Sequence, residues 1–526
     1  MGVGEMSIST TLARHIVRQL IELGIEDAVI SPGSRSAPLS LALYQAEERG
    51  LIRLHVRIDE RGAAFFALGI SKATGKYVPV ICTSGTAVAN YYPATLEAYH
   101  SNANLLLLTA DRPAQLRKTG SNQTTLQNKI FGSFVRHSVD TAAPIDIAPL
   151  LSESGPVHIN LQFAEPLLPQ DSQDWLSGIH AHVPTPAPLP TSSIETSTSK
   201  NILIVGHDRA GFSETEIENF ARSLNAPLIA EDPLRFKGAI AHASIILSSE
   251  KVRSELLPDL AIVIGRTTLS RSINTYIDSA KKMVVIDPRT SHIDTARSAD
   301  EVLNSIPKVS PGARDESWWQ LWRNYEAKAK SVLVDYPSWS EGALASIVAA
   351  DLENETALFI ASSRPIRDLE AFATPRADLV TYANRGLAGI DGNISTALGI
   401  ATHHDETFAI LGDLAFLHDI SALANPTDDA LTILVVDNNG GGIFSTLPQR
   451  GVAGFEKLFG TPHNQDLAKL VSGFGISNEV VTSAKELQIA LKRIHPKTHV
   501  IIAKMPSREA NADALSAVLT KYSMTL

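Results

Sequence analysis

Short runs of Val, Ile and Leu recur along the chain and alternate with stretches in which apolar residues follow a helical spacing. Continuous apolar runs of this length are typical of strands that are buried on both faces of a parallel sheet. Their alternation with helices predicts an α/β protein. The runs that predict strands span residues 27–30, 78–82, 105–109, 157–161, 260–266, 283–288, 357–361, 407–411, 431–437 and 499–504, and another begins at Asn201 (NILIVGHD).

The apolar runs fall into three blocks. The first ends near Leu168, and residues 180–200 are rich in Pro, Ser and Thr without an apolar period, which predicts a linker. The second block begins at Asn201 and is followed by a tryptophan-rich helical stretch, 318–333, which we expect to pack on a neighbouring domain. The third block runs from about Glu341 to the end.

Bulk composition narrows the class of protein. A chain of 526 residues is long enough for several domains, and its formal net charge of −10 argues against general affinity for nucleic acid or anionic membrane. The single cysteine, Cys82, excludes an internal disulfide framework. The N-terminus lacks the pattern of a secretory signal, and no apolar run is long enough to span a bilayer. We therefore expect a cytoplasmic protein without membrane insertion.

Two common phosphate-binding motifs are missing from the sequence. No G-x-G-x-x-G turn is followed by an acidic residue about 20 positions later, and the G-x-x-x-x-G-K-[ST] loop does not occur. The sequence therefore lacks the motifs that usually indicate a nicotinamide-dependent enzyme or a nucleotide hydrolase.

Two polar turns in the third block follow strongly apolar runs. Asp413 follows the run that ends at Leu411, and Asn438 follows a second run 25 residues further along. Ligands of open parallel sheets bind at the carboxyl ends of strands, and Mg²⁺ takes one or two protein oxygens beside phosphate oxygens and water. The pair predicts a magnesium site. A helix N-cap is the alternative for Asp413, and Asn439 is an alternative to Asn438.

Glu60 stands before a helix rich in Ala and Gly, and a TSG turn (83–85) follows it. The small residues let the acid lie close to a sheet or to a second subunit. The alternative is a solvated helix start, where acidic side chains complement the helix dipole.

In this order, these motifs resemble the pyruvate-oxidase-like family of thiamine-diphosphate enzymes, and within it the carboligases of the menaquinone pathway. The resemblance spans nearly the whole chain and is weak in the middle block. The segments that carry it are SPGSRSAPL (31–39), DERGAAFFALG (59–69), TADRP (109–113), GSNQT (120–124), ANRGLAGIDG (383–392) and DNNGGGIFSTLP (437–448).

The resemblance implies the thiamine-diphosphate-binding fold, with three α/β domains and mostly parallel sheets. It places a pyrimidine-binding domain at 1–179, a linker at 180–200, a central domain at 201–335 and a diphosphate-binding domain at 336–526. It also implies a homodimer or homotetramer, because the cofactor bridges the first domain of one subunit and the third of another. The implied cofactors are thiamine diphosphate and Mg²⁺, with Mn²⁺ as an alternative ion.

The resemblance also assigns roles around the cofactor. Glu60 would activate it at the aminopyrimidine, and such acid–base work is most effective when burial raises the pKa of the acid. Leu414 departs from the common GDG pattern of the wider family, as the menaquinone-pathway members do. The implied metal ligands are Asp413, Asn438 and the Gly440 carbonyl, and the other implied cofactor contacts are Gly389, Ile390, Gly412, Leu414, Ile443 and Phe444.

The implied substrates are 2-oxoglutarate and isochorismate. The reaction would be decarboxylation of the first and Stetter-like 1,4-addition of the resulting carbanion to the second. Each substrate carries two carboxylates, which arginine binds bidentately without deprotonating. Arg271 lies in TTLSRSI (267–273), a segment that matches the family poorly, and a surface or interface ion pair is the alternative for each arginine. The implied catalytic or substrate-binding residues are Ser34, Arg35, Arg112, Asn122, Gln123, Arg271, Ser363, Arg367 and Arg385.

Three rival interpretations remain. Another thiamine-diphosphate enzyme, such as an acetolactate-synthase-like carboligase or a 2-oxo acid decarboxylase, would not need so many arginines. A non-catalytic homologue would be expected to lose the activating acid or the metal pair. A nucleotide-binding role for the middle block lacks its glycine-rich motifs, and the arginines there (Arg266, Arg271, Arg289 and Arg297) could instead form an effector site or ordinary surface charge.

Overall fold

A computed structural model describes residues 7–171, 173–181, 193–195, 198–289, 298–310 and 313–526. The chain groups into two compact units. The first unit comprises Met1–Pro186, Asn384–Asp405 and Leu417–Leu431, and the second comprises Ala187–Ala383, Glu406–Phe416 and Thr432–Leu526. The predicted domain boundaries at 179, 200 and 335 stay a prediction. Most of the predicted linker, and Arg297, lie outside the described residues.

The first sheet belongs to the first unit and has six parallel strands in the order β2-β1-β3-β4-β6-β5. Strands β1, β3 and β4 are buried along their whole length, because helices cover both faces. Its strands are β1 (Asp27–Ile30), β2 (Arg53–Val56), β3 (Val78–Cys82), β4 (Leu105–Asp111), β5 (Ser138–Thr141) and β6 (Val157–Gln162). Its helices are α1 (Ile8–Glu22), α2 (Ala37–Glu48), α3 (Glu60–Thr74), α4 (Thr86–Asn90) and α5 (Tyr92–Ser101).

The middle of the chain forms a second sheet, in the order β12-β11-β10-β8-β9, and a separate pair, β13-β7. Strand β7 falls inside the predicted linker. The strands are β7 (Ser193–Glu195), β8 (Asn201–Val205), β9 (Leu228–Ala230), β10 (Leu260–Ile264), β11 (Lys282–Ile286), β12 (Glu301–Leu303) and β13 (Lys308–Ser310). The helices are α6 (Glu214–Ser223), α7 (Ala243–Ile246), α8 (Glu250–Glu255), α9 (Arg271–Asp278) and α10 (Glu316–Leu333).

The third sheet has the order β15-β14-β16-β17-β19-β18. Counted from its own first strand, this is the order of the first sheet. The strands are β14 (Ala357–Ile360), β15 (Val380–Tyr382), β16 (Thr407–Gly412), β17 (Leu431–Asp437), β18 (Ser477–Val481) and β19 (His499–Lys504). The helices are α11 (Glu341–Asp351), α12 (Arg364–Phe372), α13 (Asn393–Ala401), α14 (Asp413–His418), α15 (Leu467–Gly473), α16 (Ala484–Leu491) and α17 (Arg508–Met524).

These sheets of parallel strands with interleaved helices confirm the predicted α/β class. The tryptophan-rich helix α10 buries Trp318 and Trp322 completely in the second unit, in a core that also contains Tyr276 and Phe372. Among the described residues, no helix combines the length and apolarity needed to cross a membrane.

Sheet topology determines where a site forms. In the first sheet the chain runs from β1 outward to β2 and then crosses back to β3, and in the third it runs from β14 to β15 and back to β16. Ligands of open α/β sheets bind beyond the carboxyl ends of the strands at such reversals. The segments beginning at Ser31, Thr83, Ala361 and Asp413 lie at these ends.

Candidate active site

Glu60 is the first residue of α3, and Asp59 is the N-cap, whose Oδ1 accepts a hydrogen bond from the Arg61 backbone N–H at 3.0 Å. Capping is therefore done by the neighbouring acid, and Glu60 is half-buried. Burial raises the pKa of the Cys82 thiol and of the Tyr91 hydroxyl, and the negative charge of Glu60 adds to both shifts. The carboxylate thus lies near the buried carboxyl end of β3.

Helix α3 packs closely on α13 through glycines. A Cβ on Gly69 would lie 2.1 Å from the Thr396 carbonyl oxygen, and one on Gly399 would lie 2.1 Å from the Phe66 carbonyl oxygen. The expected small-residue helix therefore allows backbone-to-backbone approach, here onto another helix of the same unit.

The segment that contains Arg385, Gly389 and Ile390 is held by Glu97, a buried acid that sequence reasoning missed. Its carboxylate accepts hydrogen bonds from the backbone N–H groups of Gly386 at 2.8 Å and Leu387 at 2.7 Å. Arg385 is buried, whereas the apolar side chain of Ile390 is 37% exposed. The exposed apolar side chain of Ile390 is therefore available to contact a ligand.

Arg35 and Arg112 lie together at the carboxyl ends of β1 and β4. Burial lowers the pKa of Arg112, and the positive charge of Arg35 lowers it further, which indicates two neighbouring guanidinium groups. Arg112 Nη1 donates to Ser84 Oγ and to the Gln123 carbonyl, both at 2.9 Å.

The remaining predicted members of this group lie on loops of the same unit. Gln123 Nε2 donates to the Ser84 carbonyl at 3.1 Å, while Ser34 and Asn122 are exposed. Arg35 Nη1 donates to the Phe163 carbonyl at 2.9 Å and lies 3.3 Å from Glu165 Oε1. The first unit therefore brings together two cations and several neutral hydrogen-bonding groups, as an anionic ligand requires.

In the second unit, Asp413 begins α14 directly after β16 and is buried. Its Oδ2 accepts a hydrogen bond from the Gly440 backbone N–H at 2.8 Å, and its Oδ1 accepts one from Leu414 at 2.7 Å. His463, which sequence reasoning missed, places Nε2 3.3 Å from Asp413 Oδ2 and 3.5 Å from Asp437 Oδ1. This histidine carried no sequence signal, because it follows Asp413 by 50 residues without a motif.

The structure distinguishes the two candidate asparagines. Asn438 Nδ2 donates to Glu341 Oε1 at 2.6 Å, and its buried Oδ1 has no hydrogen-bond partner among the described residues. Both ends of the Asn439 amide are engaged by Asn464, at 2.9 and 2.8 Å. Asn438 therefore has a free oxygen and Asn439 does not.

These residues fit a Mg²⁺ ion held with a diphosphate. The orphaned Asn438 oxygen and the Asp413 carboxylate follow adjacent strands, and hard oxygen atoms are the ligands that Mg²⁺ prefers. Gly440 has φ +137°, and a Cβ there would lie 2.1 Å from the Gly460 carbonyl oxygen, so only glycine fits this turn. Ile443 and Phe444 follow in a short 3₁₀ helix, and Gly412 ends β16.

A cavity of about 430 Å³ in the second unit is lined by two of the predicted arginines, Arg271 and Arg367, together with Thr446 and Leu447. Arg271 comes from a poorly matched segment, and it lines the same cavity as Arg367. Ser363 precedes α12 with φ +76°, and its carbonyl accepts a hydrogen bond from Arg367 Nη1 at 2.6 Å. Two residues near the candidate site were not predicted from the sequence: Leu447, which lines this cavity, and Glu341, which accepts a hydrogen bond from Asn438.

The other central arginines differ from Arg271. Arg289 is buried and pairs with Asp208 and Asp287, so it serves an internal ion-pair network. The backbone N–H of Arg266 donates to Asp208 Oδ1 at 3.3 Å.

Comparison with known proteins defines the class to which this site belongs. Residues 10–131 match the family model "Thiamine pyrophosphate enzyme, N-terminal TPP binding domain", and residues 370–503 match the corresponding C-terminal TPP binding domain. The chain is thus a thiamine-diphosphate enzyme.

Relatives that match most of the chain show which family of thiamine-diphosphate enzymes it belongs to. The chain is 37% identical to 2-succinyl-5-enolpyruvyl-6-hydroxy-3-cyclohexene-1-carboxylate (SEPHCHC) synthase of Thermobifida fusca, over 92% of this chain and 94% of the relative. It is 34% identical to the synthase of the same name from Lysinibacillus sphaericus, over 96% of each chain, and 37% identical to that of a Nocardioides species, over 92% of each. The chain belongs to the SEPHCHC synthase family.

Proposed function

We propose that the chain decarboxylates 2-oxoglutarate and adds the resulting succinyl-semialdehyde carbanion to isochorismate in a Stetter-like 1,4-addition, giving SEPHCHC for menaquinone biosynthesis. The observation that carries the proposal is the pairing of arginines: Arg271 with Arg367 around one cavity, and Arg35 with Arg112 at the carboxyl ends of β1 and β4. Substrates with two carboxylates each require such cations, whereas pyruvate does not.

We assign the domains as the family resemblance implies: pyrimidine-binding at 1–179, linker at 180–200, central at 201–335 and diphosphate-binding at 336–526. The matched ranges 10–131 and 370–503 fall inside the first and third of these domains. We infer a homodimer or homotetramer in which the cofactor contacts residues of two subunits. A cytoplasmic location stays a prediction.

Thiamine diphosphate, when bound, would supply a nucleophilic carbon and an electron sink for decarboxylation of the 2-oxo acid. Glu60 would hold a proton at the aminopyrimidine N1′ and so assist activation of the cofactor. Asp413, the Asn438 side-chain oxygen and the Gly440 carbonyl would hold Mg²⁺, or Mn²⁺, against the diphosphate. Gly412, Leu414, Ile443 and Phe444 would line the cofactor. Ile390 would pack against it, and Gly389 would offer its carbonyl to the aminopyrimidine.

The arginines would neutralise and orient the substrate carboxylates. Ser363, Arg367 and Arg385 would face the succinyl carboxylate. Ser34, Arg35, Asn122 and Gln123 would lie toward isochorismate, with Arg112 and Arg271 adding charge to the set. Holding both reactants at fixed positions converts a bimolecular addition into an effectively intramolecular one.

The test is to supply isochorismate, 2-oxoglutarate, thiamine diphosphate and Mg²⁺ to the purified protein and to follow product formation. We expect SEPHCHC to form only when all four are present. An acetolactate-synthase-like activity is the alternative, and a parallel assay with pyruvate replacing 2-oxoglutarate distinguishes it. Faster turnover of pyruvate without isochorismate would overturn the proposal.

A further inference from the structure

Three side chains with metal-binding atoms converge at the amino-terminal end of β19. Glu479 lies on the edge strand β18, His495 lies in the loop after α16, and His499 is the first residue of β19. One ligand atom from each residue lies within 4.8 Å of the other two. Strand β19 runs from here to Lys504, which contacts Asp437, so the cluster lies about 17 Å along the strand from the cofactor-binding edge.

Each of the three residues has a buried polar atom without a hydrogen-bond partner among the described residues. These atoms are Glu479 Oε1, His495 Nε2 and His499 Nε2. Glu479 Oε1 and His499 Nε2 are 3.5 Å apart, too far for a good hydrogen bond. Two ligands of a tetrahedral zinc ion, each bound at its usual distance, are separated by about 3.4 Å. The spacing therefore suits a shared cation better than a direct contact.

Neighbouring groups orient these atoms. Ser477 Oγ lies 2.8 Å from His499 Nδ1, and a hydrogen bond donated by Nδ1–H leaves the lone pair on Nε2. Arg493 Nη1 donates to Glu479 Oε2 at 2.6 Å, which leaves Oε1 to face the histidines. Burial lowers the pKa of both His499 and His495, which favours the uncharged form of each ring. Neutral imidazole is the form that binds a metal.

We propose that Glu479, His495 and His499 form a second metal site, peripheral to the active site, for a divalent transition metal of the Zn²⁺ type, with water as the fourth ligand. The two imidazole rings stack at 3.7 Å with only 4° between their planes. A metal lies in the plane of each ring that binds it, so coordination requires the His495 ring to turn. The bound ion would join edge strand β18 to β19 and to the preceding loop, and would stabilise this edge of the sheet.

The experiment measures zinc binding to the full-length protein that is already saturated with Mg²⁺ and thiamine diphosphate, so that the active-site ligands are occupied. Zinc content is counted after desalting, and affinity is measured by calorimetric titration with Zn²⁺. The variants are His495→Gln, His499→Asn and Ser477→Ala, and the matched control is His180→Gln, an exposed histidine elsewhere. Co²⁺ in place of Zn²⁺ reports the ligand geometry through its visible absorption.

We expect wild type and His180→Gln to bind one more zinc ion per chain than His495→Gln and His499→Asn. Ser477→Ala should bind the same ion about 10- to 100-fold more weakly, because it loses only the group that orients His499. Equal zinc content in wild type and in folded histidine variants would overturn the proposal. If the histidine variants unfold, the zinc affinity of Ser477→Ala tests the proposal instead. An affinity equal to that of wild type would then overturn the proposed site.

Discussion

The orientation of the Asn438 amide depends on one buried carboxylate, that of Glu341. Glu341 Oε1 accepts a hydrogen bond from Asn438 Nδ2, and its Oε2 accepts one from Arg364 Nε at 3.2 Å. Glu341→Gln replaces this acceptor with an amide that can present either oxygen or nitrogen, so the Asn438 oxygen is no longer fixed toward the metal. We expect Mg²⁺ affinity, titrated in the presence of thiamine diphosphate, to fall about 10- to 100-fold.

Asn439→Gly is the control for that prediction. Asn439 has φ +63°, which glycine adopts without strain, and its side chain bonds only Asn464 among the described residues. This variant should keep wild-type metal affinity. Unchanged affinity in a folded Glu341→Gln variant would show that the carboxylate does not position the ligand.

Glu60→Gln tests the proposed acid at the cofactor. Glutamine keeps the shape of the side chain but cannot hold a proton for the aminopyrimidine N1′. Thiamine diphosphate should still bind, while exchange of its C2 proton, followed by NMR in D₂O, should slow at least about 100-fold. Asp59→Asn alters the neighbouring helix cap and should leave exchange near normal. Normal exchange in Glu60→Gln would contradict the assigned role.

At this scale, the sequence pointed to candidate residues within compact motifs and gave no signal for residues that contact them from distant parts of the chain. Asp413 and Asn438 could be proposed as ligands because each follows an apolar strand. Glu341 and His463 were missed because they precede or follow those ligands by many residues and belong to no motif. Glu97 was missed because its function depends on a long-range contact with a backbone segment.

Helix α3 carries Glu60 at its start and packs against α13 by glycine contact. Gly69→Ala would place a Cβ 2.1 Å from the Thr396 carbonyl oxygen, so the two helices must move apart. Overpacking of this kind costs about 1 to 3 kcal/mol. We expect the urea midpoint of unfolding to fall and cofactor affinity to fall with it.

Gly473→Ala provides the matched control for that helix contact. Gly473 ends α15, is exposed, and has nothing within 4 Å of an added Cβ. The free energy of unfolding of the Gly473→Ala variant should equal that of wild type or exceed it by up to about 1 kcal/mol. Equal midpoints for Gly69→Ala and wild type would show that α3 and α13 do not pack at this distance.

Strand β6 contains a buried histidine that makes stability depend on pH. Burial lowers the pKa of His158 from 6.5 to about 4. Between pH 6.5 and pH 4, His158 is protonated in the unfolded chain but not in the folded chain. The contribution of the neutral His158 to the free energy of unfolding is therefore complete above pH 6.5 and is lost as the pH falls toward 4. The loss amounts to at most about 3 kcal/mol.

His158→Gln should therefore flatten the decline of the unfolding midpoint between pH 7 and pH 5. His180→Gln, at an exposed position, should follow wild type. The prediction fails if wild type and His158→Gln lose stability in parallel over this range.

Most strands were predictable from sequence because their apolar runs are continuous. The runs at 27–30, 78–82, 431–437 and 499–504 match observed strands in full. The edge strands β2 and β18 were not predicted, because an edge strand is partly exposed and mixes polar with apolar residues. The order of the strands within each sheet could not be predicted either, because apolar periodicity does not indicate which strands pair.

At the scale of the whole molecule, the first and third sheets repeat one strand order, and the candidate site residues divide between the two compact units. Glu60, Arg35 and Arg112 belong to the first unit, and Asp413 and Asn438 belong to the second. The family resemblance implies that one cofactor contacts Glu60 of one subunit and Asp413 of another. That arrangement can be tested without a structure of the assembly, by combining two inactive variants.

Glu60→Gln and Asp413→Asn should each abolish activity alone. In a mixed dimer with sites formed between subunits, one site receives both defects and the other receives none. Random assembly of equal amounts by co-expression, without selection of the mixed dimer, should therefore restore about a quarter of wild-type activity. Sites built within one chain would restore nothing, because every chain carries a defect. Mixing Glu60→Gln with Glu60→Ala is the control and should stay inactive, since no intact Glu60 is present.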